Sequence, residues 1–382
     1  MTKVLYDYQG FMEHHGGVSN SFVQLISHMP ESIKYDIGIV DSDNEHLKHS
    51  NIADVQPCRL LRRNFIKKEH FPTKGHLYDM YKWLFPYKTS EATNEKRVIE
   101  LLQREKYDVF HPTYFHPYFL KYIKDTPFVL TIHDMTPERA KQHDKQKKWK
   151  RLLAPKAAHI IAVSESTKND VVEMLGISPS KISVIYHAAP DDQTSVEPPI
   201  FSDFPYILFV GRRGGYKNFG PMVRSMAPIL RNHPQLHLVC TGNPFTAEEE
   251  TCLKELGISD QTIQYYAADT ELQNLYANAC CFIFPSEYEG FGIPILEAYN
   301  AHCPVLLNNA SCFPEIAQDA ALFFNMNSEG TNLAEVLEDF LSWDNSKRRE
   351  LITRQDERLK FFSWEKSARQ LSEIYEKVAQ HG

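Results

Sequence analysis

Two glutamates with seven residues between them stand in a glycine-containing segment that reads SEYEGFGIPILEAYN, residues 286–300. The preceding run CCFIFP is typical of a strand and the following IPILEAYNAH of a helix, with a proline in its first turn, where proline is tolerated. Gly290 and Gly292 allow the connecting backbone to fold closely and to offer N–H groups to an anion at the helix N-terminus. Because the carboxylates of Glu289 and Glu297 accept hydrogen bonds from hydroxyl groups, the combination favours a nucleotide that carries a sugar.

Either glutamate alone would ordinarily be a surface residue or a helix cap. The spacing on a strand, a loop and a helix is what favours a binding site.

A second segment places cations after another strand-like run. ILFVGRRGGYKNFG, residues 207–220, carries Arg212, Arg213 and Lys217 between a buried strand and a helix. Glycines permit close approach of the backbone, and cations just ahead of a positive helix end suit a diphosphate. The segment matches neither the G-x-G-x-x-G nor the G-x-x-x-x-G-K-[ST] pattern. Taken alone, it is also compatible with a solvated basic loop.

The elements that position these residues follow from the alternation of apolar strand-like runs with helical stretches, which indicates α/β architecture with parallel sheets. Most runs are continuously apolar, as expected for strands buried on both faces. A proline-containing segment at 188–205 interrupts the pattern and indicates an interdomain linker. We predict two doubly wound, Rossmann-like domains, residues 1–195 and 196–362, that face each other across a cleft.

Length and charge exclude several classes of protein. The chain has 382 residues, enough for two domains, and a net charge of −7, which argues against nucleic acid as a partner. No run approaches the roughly 20 apolar residues that span a bilayer, and the first residues lack the apolar core of a signal peptide. Seven cysteines without a C-x-x-C pair fit reduced thiols. We expect a cytoplasmic protein, with peripheral contact to the inner face of a membrane as an open alternative.

The segment PSEYEGFGIPILEAYNAHCPVLLNN resembles the E-x7-E signature of the retaining glycosyltransferases of family 4, which have the GT-B fold. Other segments resemble motifs of that family in the same order, over nearly the whole chain. They are HHGGVSN (14–20), LTIHDMTP (130–137), AHIIAVSESTKNDV (158–171), FVGRRGGYKN (209–218), ELQNLYANA (271–279) and FSWEKSARQLSEIYEKV (362–378). The resemblance implies an acceptor-side first domain, a nucleotide-sugar-binding second domain, and a C-terminal helix at about 363–382 that packs back onto the first domain.

The resemblance also implies individual roles on the nucleotide side. Arg212 and Lys217 would neutralise the diphosphate of the donor. Glu297 would hold the ribose hydroxyls, and Glu289 would bind hydroxyls of the donor sugar close to the reacting centre. Backbone N–H groups for sugar and phosphate would come from Gly290, Phe291, Gly292 and Ile293.

Three residues of the first domain complete the implied set. Gly16 and Gly17 would allow that domain to close over the phosphates, and His133 would contact the transferred sugar near its anomeric carbon. With His133, the residues implied to be catalytic are Glu289, Lys217 and Arg212.

The implied activity is retaining transfer of a hexose from a nucleoside diphosphate sugar to a saccharide or polyprenyl-linked saccharide, in cell-surface polysaccharide synthesis. GDP-mannose is slightly preferred, because TIHD and HPTYF resemble stretches of family mannosyltransferases, and a UDP-sugar comes next. The resemblance implies no cofactor besides the donor. DSD at 41–43 spells a metal-binding D-x-D motif, but we interpret it as a solvated loop and expect activity without a metal.

The acceptor side leaves alternatives open. The basic segment 139–156 is compatible with an anionic membrane surface, a polyprenyl-linked acceptor or a plain solvated helix. The aromatic segment 110–119 could line an acceptor pocket or fill a core. The rival functions are a non-catalytic nucleotide-sugar-binding module of the same fold, a sugar-nucleotide epimerase and a phosphorylase.

Overall fold

A computed structural model of the chain describes residues 1–58, 65, 73–85, 89–139, 144–189, 198–327 and 330–381. They form two compact units. The first comprises Met1–Val163, Thr167–Tyr186 and Trp364–Gly382, and the second comprises Ser164–Ser166 and His187–Ser363. Residues 190–197 of the predicted linker at 188–205 lie outside the described residues, and its described residues, 188–189 and 198–205, belong to the second unit.

The first unit is built on parallel strands whose residues are mostly buried, as their continuously apolar sequences predict. Two three-stranded sheets, of order β2-β1-β3 and β4-β5-β6, meet at a parallel bridge between Phe110 and Phe128. The order reverses between β1 and β3, because β2 lies on one side of β1 and all later strands on the other. The strands are β1 (Thr2–Tyr6), β2 (Ile33–Ile37), β3 (Val109–His111), β4 (Val129–Ile132), β5 (His159–Ala162) and β6 (Ile182–Val184).

Helices connect these strands, as expected for parallel pairs, which cannot be joined by tight turns. They are α1 (Gly17–Ser27), α2 (Glu45–Lys48), α3 (Lys74–Leu84), α4 (Ser90–Arg104), α5 (Thr136–Arg139), α6 (Lys145–Leu153) and α7 (Glu165–Leu175). α4 begins at a side-chain cap, since the Thr89 hydroxyl accepts a hydrogen bond from the amide of Ala92.

The second unit has one parallel six-stranded sheet of order β12-β11-β10-β7-β8-β9 and a small antiparallel hairpin β13-β14. β7 and β10 are neighbours, with Ile207 opposite Cys281, and the chain leaves them in opposite directions across the sheet. This is a topological switch point, where ligands bind in open α/β sheets. The strands are β7 (Tyr206–Phe209), β8 (His237–Thr241), β9 (Thr262–Tyr265), β10 (Cys281–Phe284), β11 (Val305–Asn308), β12 (Leu322–Phe324), β13 (Met326–Asn327) and β14 (Gly330–Thr331).

The helices of this unit cover both faces of its sheet. They are α8 (Phe219–Asn232), α9 (Ala247–Glu255), α10 (Asp269–Asn278), α11 (Ile293–Asn300), α12 (Phe313–Ala317), α13 (Leu333–Ser342) and α14 (Asn345–Leu359). α8 and α13 pack together over a core that includes Phe209, Met222 and Leu337.

The last helix, α15 (Trp364–His381), belongs to the first unit, where it packs on α1, β1 and β3. Its buried Tyr375 hydroxyl donates to the Tyr6 hydroxyl at 2.9 Å and lies 2.5 Å from His111 Nδ1. The C-terminal helix therefore fixes the ends of two neighbouring strands of the first sheet.

No helix among the described residues is long and apolar enough to cross a membrane.

Candidate functional site

Two adjacent arginines in the loop after β7 differ in their contacts. The Arg213 side chain is 6% exposed and is fully engaged: its Nε lies 3.1 Å from Glu249 Oε1, and it donates to the carbonyls of Asn243 and Pro244 at 2.6 and 2.9 Å. Arg212 is exposed, and no side-chain partner is found for it among the described residues. Arg213 thus ties the loop to the following strand end, and Arg212 keeps its charge available to an anion.

The loop after β10 is shaped by Gly292, whose φ of +94° lies in the left-handed region. A Cβ at this position would approach Ile295 Cδ1 to 3.1 Å and Phe313 Cε1 to 3.2 Å, so glycine is required for both conformation and space. α11 begins directly after it, at Ile293. Phe291 is buried and packs edge-on against Phe362 at 5.7 Å. The sequence-based expectation of a close-packed backbone leading into a helix N-terminus matches this geometry.

The two loops meet through the ion pair between Lys217 Nζ and Glu289 Oε1, at 2.5 Å. The side chains are 19% and 16% exposed, so the pair is partly shielded from water. The ammonium also lies 5.6 Å from the ring centroid of Phe284, the last residue of β10. Lys217 and Glu289, predicted from separate motifs, thus face one another at the carboxyl ends of the neighbouring strands β7 and β10.

Glu297 lies one turn into α11, and its contacts differ from those of Glu289. Its Oε2 accepts a hydrogen bond from the Tyr276 hydroxyl at 3.3 Å. Burial, and to a smaller degree the nearby Glu297 carboxylate, raise the pKa of Tyr276 well above its usual value, so the hydroxyl stays protonated and donates. The structure therefore fixes the Glu297 carboxylate from the α10 side, apart from the Lys217–Glu289 pair.

Several residues that the sequence did not single out hold the two loops in place. The Ser311 hydroxyl donates to the Glu289 carbonyl at 2.7 Å and accepts from the Glu289 amide at 3.2 Å. Asn218, next to Lys217 and at a φ of +55°, donates from Nδ2 to the Pro285 carbonyl at 3.2 Å.

The buried Asn308 side chain also donates to the carbonyls of Ser286 and Met326 and accepts from the Met326 amide. Asn218 and Asn308 lie within the two sequence segments that resemble family motifs, and buried asparagine side chains commonly hydrogen-bond backbone groups in loops. Their residue type was therefore the sequence signal for this role. Ser311 had none, since its partner lies 22 residues away in the sequence.

The remaining predicted residues lie in the first unit. His133 follows β4, half-buried, with its ring 5.8 Å from that of Phe22. Burial lowers the pKa of His133 to about 4, so its imidazole is neutral at neutral pH. Gly16 and Gly17 lie where the chain enters α1, following β1 at the reversal point of the strand order.

A buried ion pair supports the strand end that carries His133. Lys150, 1% exposed, lies 3.0 Å from Glu138 Oε2 and donates to the Asp134 carbonyl at 2.7 Å. Trp149 packs its ring edge-on against His116 at 4.9 Å. These two residues of the basic segment 139–156 thus have internal roles, and residues 140–143 of that segment lie outside the described part of the chain.

The interpretation of DSD as a solvated loop was wrong. Asp41 and Ser42 are buried, and the Ser42 hydroxyl donates to the Phe11 carbonyl at 2.6 Å. Asn94 donates to the Asp41 carbonyl and accepts from the amides of Val40 and Asp41, which explains the burial. Within the described ranges, no group of three or more His, Cys, Asp or Glu side chains is arranged to hold a metal ion.

The aromatic segment 110–119 is mainly core. The buried aromatic members are Phe110, His111, Phe115, Tyr118 and Phe119. Packing in the core of the first unit therefore accounts for most of the aromatic residues of segment 110–119.

Both halves of the chain match known sequence families. Residues 15–193 match the sequence model described as Glycosyltransferase Family 4, and residues 191–358 match the one described as Glycosyl transferases group 1. Together the two matches extend over most of the chain.

Curated relatives include two bacterial enzymes. O-antigen chain mannosyltransferase B of Escherichia coli is 26% identical over 325 residues, which cover 75% of this chain and 84% of that protein. O-antigen chain mannosyltransferase RfbU of Salmonella typhimurium strain LT2 is 26% identical over 212 residues, which cover 52% of this chain and 57% of that protein.

Among solved structures, Anabaena HepE in complex with UDP and glucose superposes with a TM-score of 0.73 at 15% identity, covering 99% of this chain and 100% of that one. At this identity the likeness shows the fold.

Proposed function

Since the chain belongs to the family 4 glycosyltransferases and has their GT-B fold of two Rossmann-like domains, we propose that it transfers a hexose with retention of the anomeric configuration. The donor is a nucleoside diphosphate sugar, and the acceptor is a saccharide or polyprenyl-linked saccharide. The names of the O-antigen mannosyltransferases among its relatives support a place in cell-surface polysaccharide synthesis. We further propose that it acts in the cytoplasm.

The observation that carries the proposal is the Lys217–Glu289 pair at the switch point of the second sheet. A cation suited to a diphosphate and a carboxylate suited to sugar hydroxyls are held side by side, where open α/β sheets bind ligands. A diphosphate that approaches Lys217 competes with Glu289 for the ammonium. The Glu289 carboxylate is then free to accept hydrogen bonds from the donor sugar.

The reaction places the catalytic demand on the leaving group. The bond between the anomeric carbon and the β-phosphate oxygen breaks, and its electron pair stays on the phosphate. The acceptor hydroxyl attacks the anomeric carbon from the face that the phosphate leaves, and its proton passes to a phosphate oxygen. Arg212, Lys217 and the N–H groups at the start of α11 stabilise the developing negative charge, each contact contributing about 3 kcal/mol.

The other residues take supporting roles in the same proposal. Glu297, fixed by Tyr276, binds the ribose hydroxyls. Gly290, Phe291, Gly292 and Ile293 bring backbone N–H groups to sugar and phosphate. In the first unit, Gly16 and Gly17 approach the phosphates, and His133, neutral at neutral pH, hydrogen-bonds the transferred sugar.

We propose GDP-mannose as the preferred donor, with a UDP-sugar as the second candidate. The relatives named as mannosyltransferases support a mannose donor, and the solved complex of HepE contains UDP. Two cations, Arg212 and Lys217, can do the electrostatic work that a metal does elsewhere, so we propose activity without a metal or any further cofactor. Full activity in EDTA is the expected result, and loss in EDTA with recovery on Mg²⁺ or Mn²⁺ would refute it.

The test is nucleoside diphosphate release from GDP-mannose, UDP-glucose, UDP-N-acetylglucosamine and ADP-glucose, each alone and with a mixed acceptor pool. Lys217→Met should lower kcat by roughly 10²-fold, because a leaving-group contact of this kind is worth about 3 kcal/mol. Lys360→Met is the matched control, since it removes a lysine from an exposed pair with Glu357 in the same unit.

The outcomes separate the alternatives. Release from one donor that is lost in Lys217→Met and kept in Lys360→Met supports the transferase and identifies the donor. Thermal stabilisation by one donor without release favours a binding module. If no donor is cleaved and no donor stabilises the protein, the proposal is contradicted.

A further inference from the structure

The helix α3 exposes large apolar side chains to solvent. Trp83 is 79% exposed, Met80 and Leu84 are each 53% exposed, and Phe85, directly after the helix, is 44% exposed. Nine large apolar side chains are exposed in the described part of the chain, and these four fall within six consecutive residues. Scattered exposed apolar residues are normal, but a contiguous group marks an interaction surface. We call these four residues the α3 patch.

The opposite side of α3 accounts for its attachment to the first unit. Tyr78 is 3% exposed, and its hydroxyl donates to Glu91 Oε2 at 2.6 Å. The ring of Tyr81 lies 5.1 Å from that of Phe65. A helix held by one face ordinarily presents polar residues on the other. In α3 the outward positions 80, 83 and 84 are apolar and follow the i, i+3, i+4 spacing, so folding of the unit does not explain them.

The charge of the sequence segment that contains the patch indicates what covers it. Residues 59–88 contain eight Lys or Arg and two Asp or Glu, in a chain whose net charge is −7. A basic sequence that carries an outward stripe with tryptophan and leucine has the composition of a helix that lies in the headgroup region of an anionic bilayer. α3 has 11 residues, about half the length needed to span a membrane, so this contact lies along the surface.

We propose that the α3 patch docks the protein on the surface of a bilayer that contains anionic lipids. The inference does not depend on the proposed donor, acceptor or reaction. It assigns the membrane contact to α3 in preference to the basic segment 139–156. In that segment the described residues include one exposed large apolar side chain, Leu152, while Lys150 is buried in an ion pair.

The experiment is co-sedimentation of the full chain with vesicles of phosphatidylcholine alone and of phosphatidylcholine with phosphatidylglycerol. We expect binding to the anionic vesicles that weakens as salt is raised. Trp83→Ser combined with Leu84→Ser should lower the partition coefficient by roughly tenfold or more, because it removes the inserted apolar groups. Trp83→Phe, which stays aromatic, should retain binding. Tyr266→Ser, which removes an aromatic residue 73% exposed in the second unit, is the matched control.

Three results would overturn the proposal. One is equal recovery of the unaltered protein in the supernatant with both kinds of vesicle. Another is loss of binding in Lys147→Ser/Lys148→Ser with none in Trp83→Ser/Leu84→Ser, which would assign the contact to α6. The third is concentration-dependent dimerisation in sedimentation velocity, abolished by Trp83→Ser and unaccompanied by vesicle binding, which would make a second copy the occupant. Met80→Ser is a second variant of the patch. The thermal midpoint of each variant shows whether a loss of binding comes from loss of the patch or from loss of the fold.

Discussion

The Ser311 hydroxyl hydrogen-bonds both the amide and the carbonyl of Glu289, at 3.2 and 2.7 Å. Ser311 holds a φ of +54°, a left-handed conformation that costs a residue with a Cβ about 1 kcal/mol relative to glycine. The side chain, and not the backbone conformation, therefore explains a serine at this position. It fixes the backbone of the residue that pairs with Lys217.

We expect Ser311→Ala and Ser311→Gly to separate these two contributions. Alanine keeps the backbone strain and loses both hydrogen bonds, so the free energy of unfolding should fall by about 1 to 2 kcal/mol. Glycine relieves the strain and should be the more stable variant. Both should lower kcat for nucleoside diphosphate release by roughly tenfold, because Glu289 is held less firmly. A normal kcat in both variants would show that Ser311 does not position Glu289.

The adjacent arginines should respond in opposite ways to substitution by methionine. Arg212→Met should leave the free energy of unfolding within about 0.5 kcal/mol and lower kcat by roughly 10²-fold, because Arg212 is exposed and we assign it to the diphosphate. Arg213→Met should destabilise the fold by about 3 kcal/mol, because it leaves Glu249 without its charge partner. Guanidinium unfolding and donor turnover measure the two effects. Equal losses of activity at equal stability would contradict the division of roles.

The start of α11 offers a test with a matched glycine. Gly292→Ala adds a Cβ at a φ of +94° and within 3.2 Å of Ile295 and Phe313, so we expect a loss of about 2 to 3 kcal/mol and impaired donor turnover. Gly214→Ala adds a Cβ at a φ of −83° with no atom within 4 Å. It should be neutral in thermal denaturation. If both alanine variants melt alike, the close packing at Gly292 is not what requires glycine there.

His111 should make stability depend on pH. Burial lowers the pKa of His111 to about 3, well below the value of about 6.5 expected in the unfolded chain. Between these values the unfolded state binds the proton and the folded state does not, so the free energy of unfolding falls as pH decreases from about 6.5. This group alone contributes a loss of about 2 kcal/mol near pH 5, at about 1.4 kcal/mol per pH unit.

Urea unfolding of the unaltered protein and of His111→Gln, compared between about pH 7 and pH 5, measures this contribution. The substitution removes the titrating group, so the unaltered protein should show the steeper loss of stability. Parallel curves for the two proteins would exclude His111 as its source.

Most strands were predictable because their signal is local. Runs such as YILFVG and CCFIFP are apolar without interruption, and a strand buried on both faces needs little else. The run KYDIGIV, residues 34–40, indicates a strand as far as Val40, but β2 ends at Ile37, because α4 supplies partners for the residues that follow: Asn94 accepts a hydrogen bond from the amide of Val40, and Gly38 packs on Val98. Those partners lie on α4, more than fifty residues later, so the local sequence does not predict where the strand ends.

By itself the sequence determined the alternation of strands and helices, the positions of both motifs, and the residue types suited to diphosphate and sugar. These features are encoded within single elements. Only the tertiary structure decided that Lys217 faces Glu289, that Arg213 is internal while Arg212 is free of side-chain partners in the described chain, and that Asp41 and Lys150 are buried. The reason is physical: partners 72 residues apart meet because β7 and β10 pair in one sheet, and no local pattern specifies which strands become neighbours.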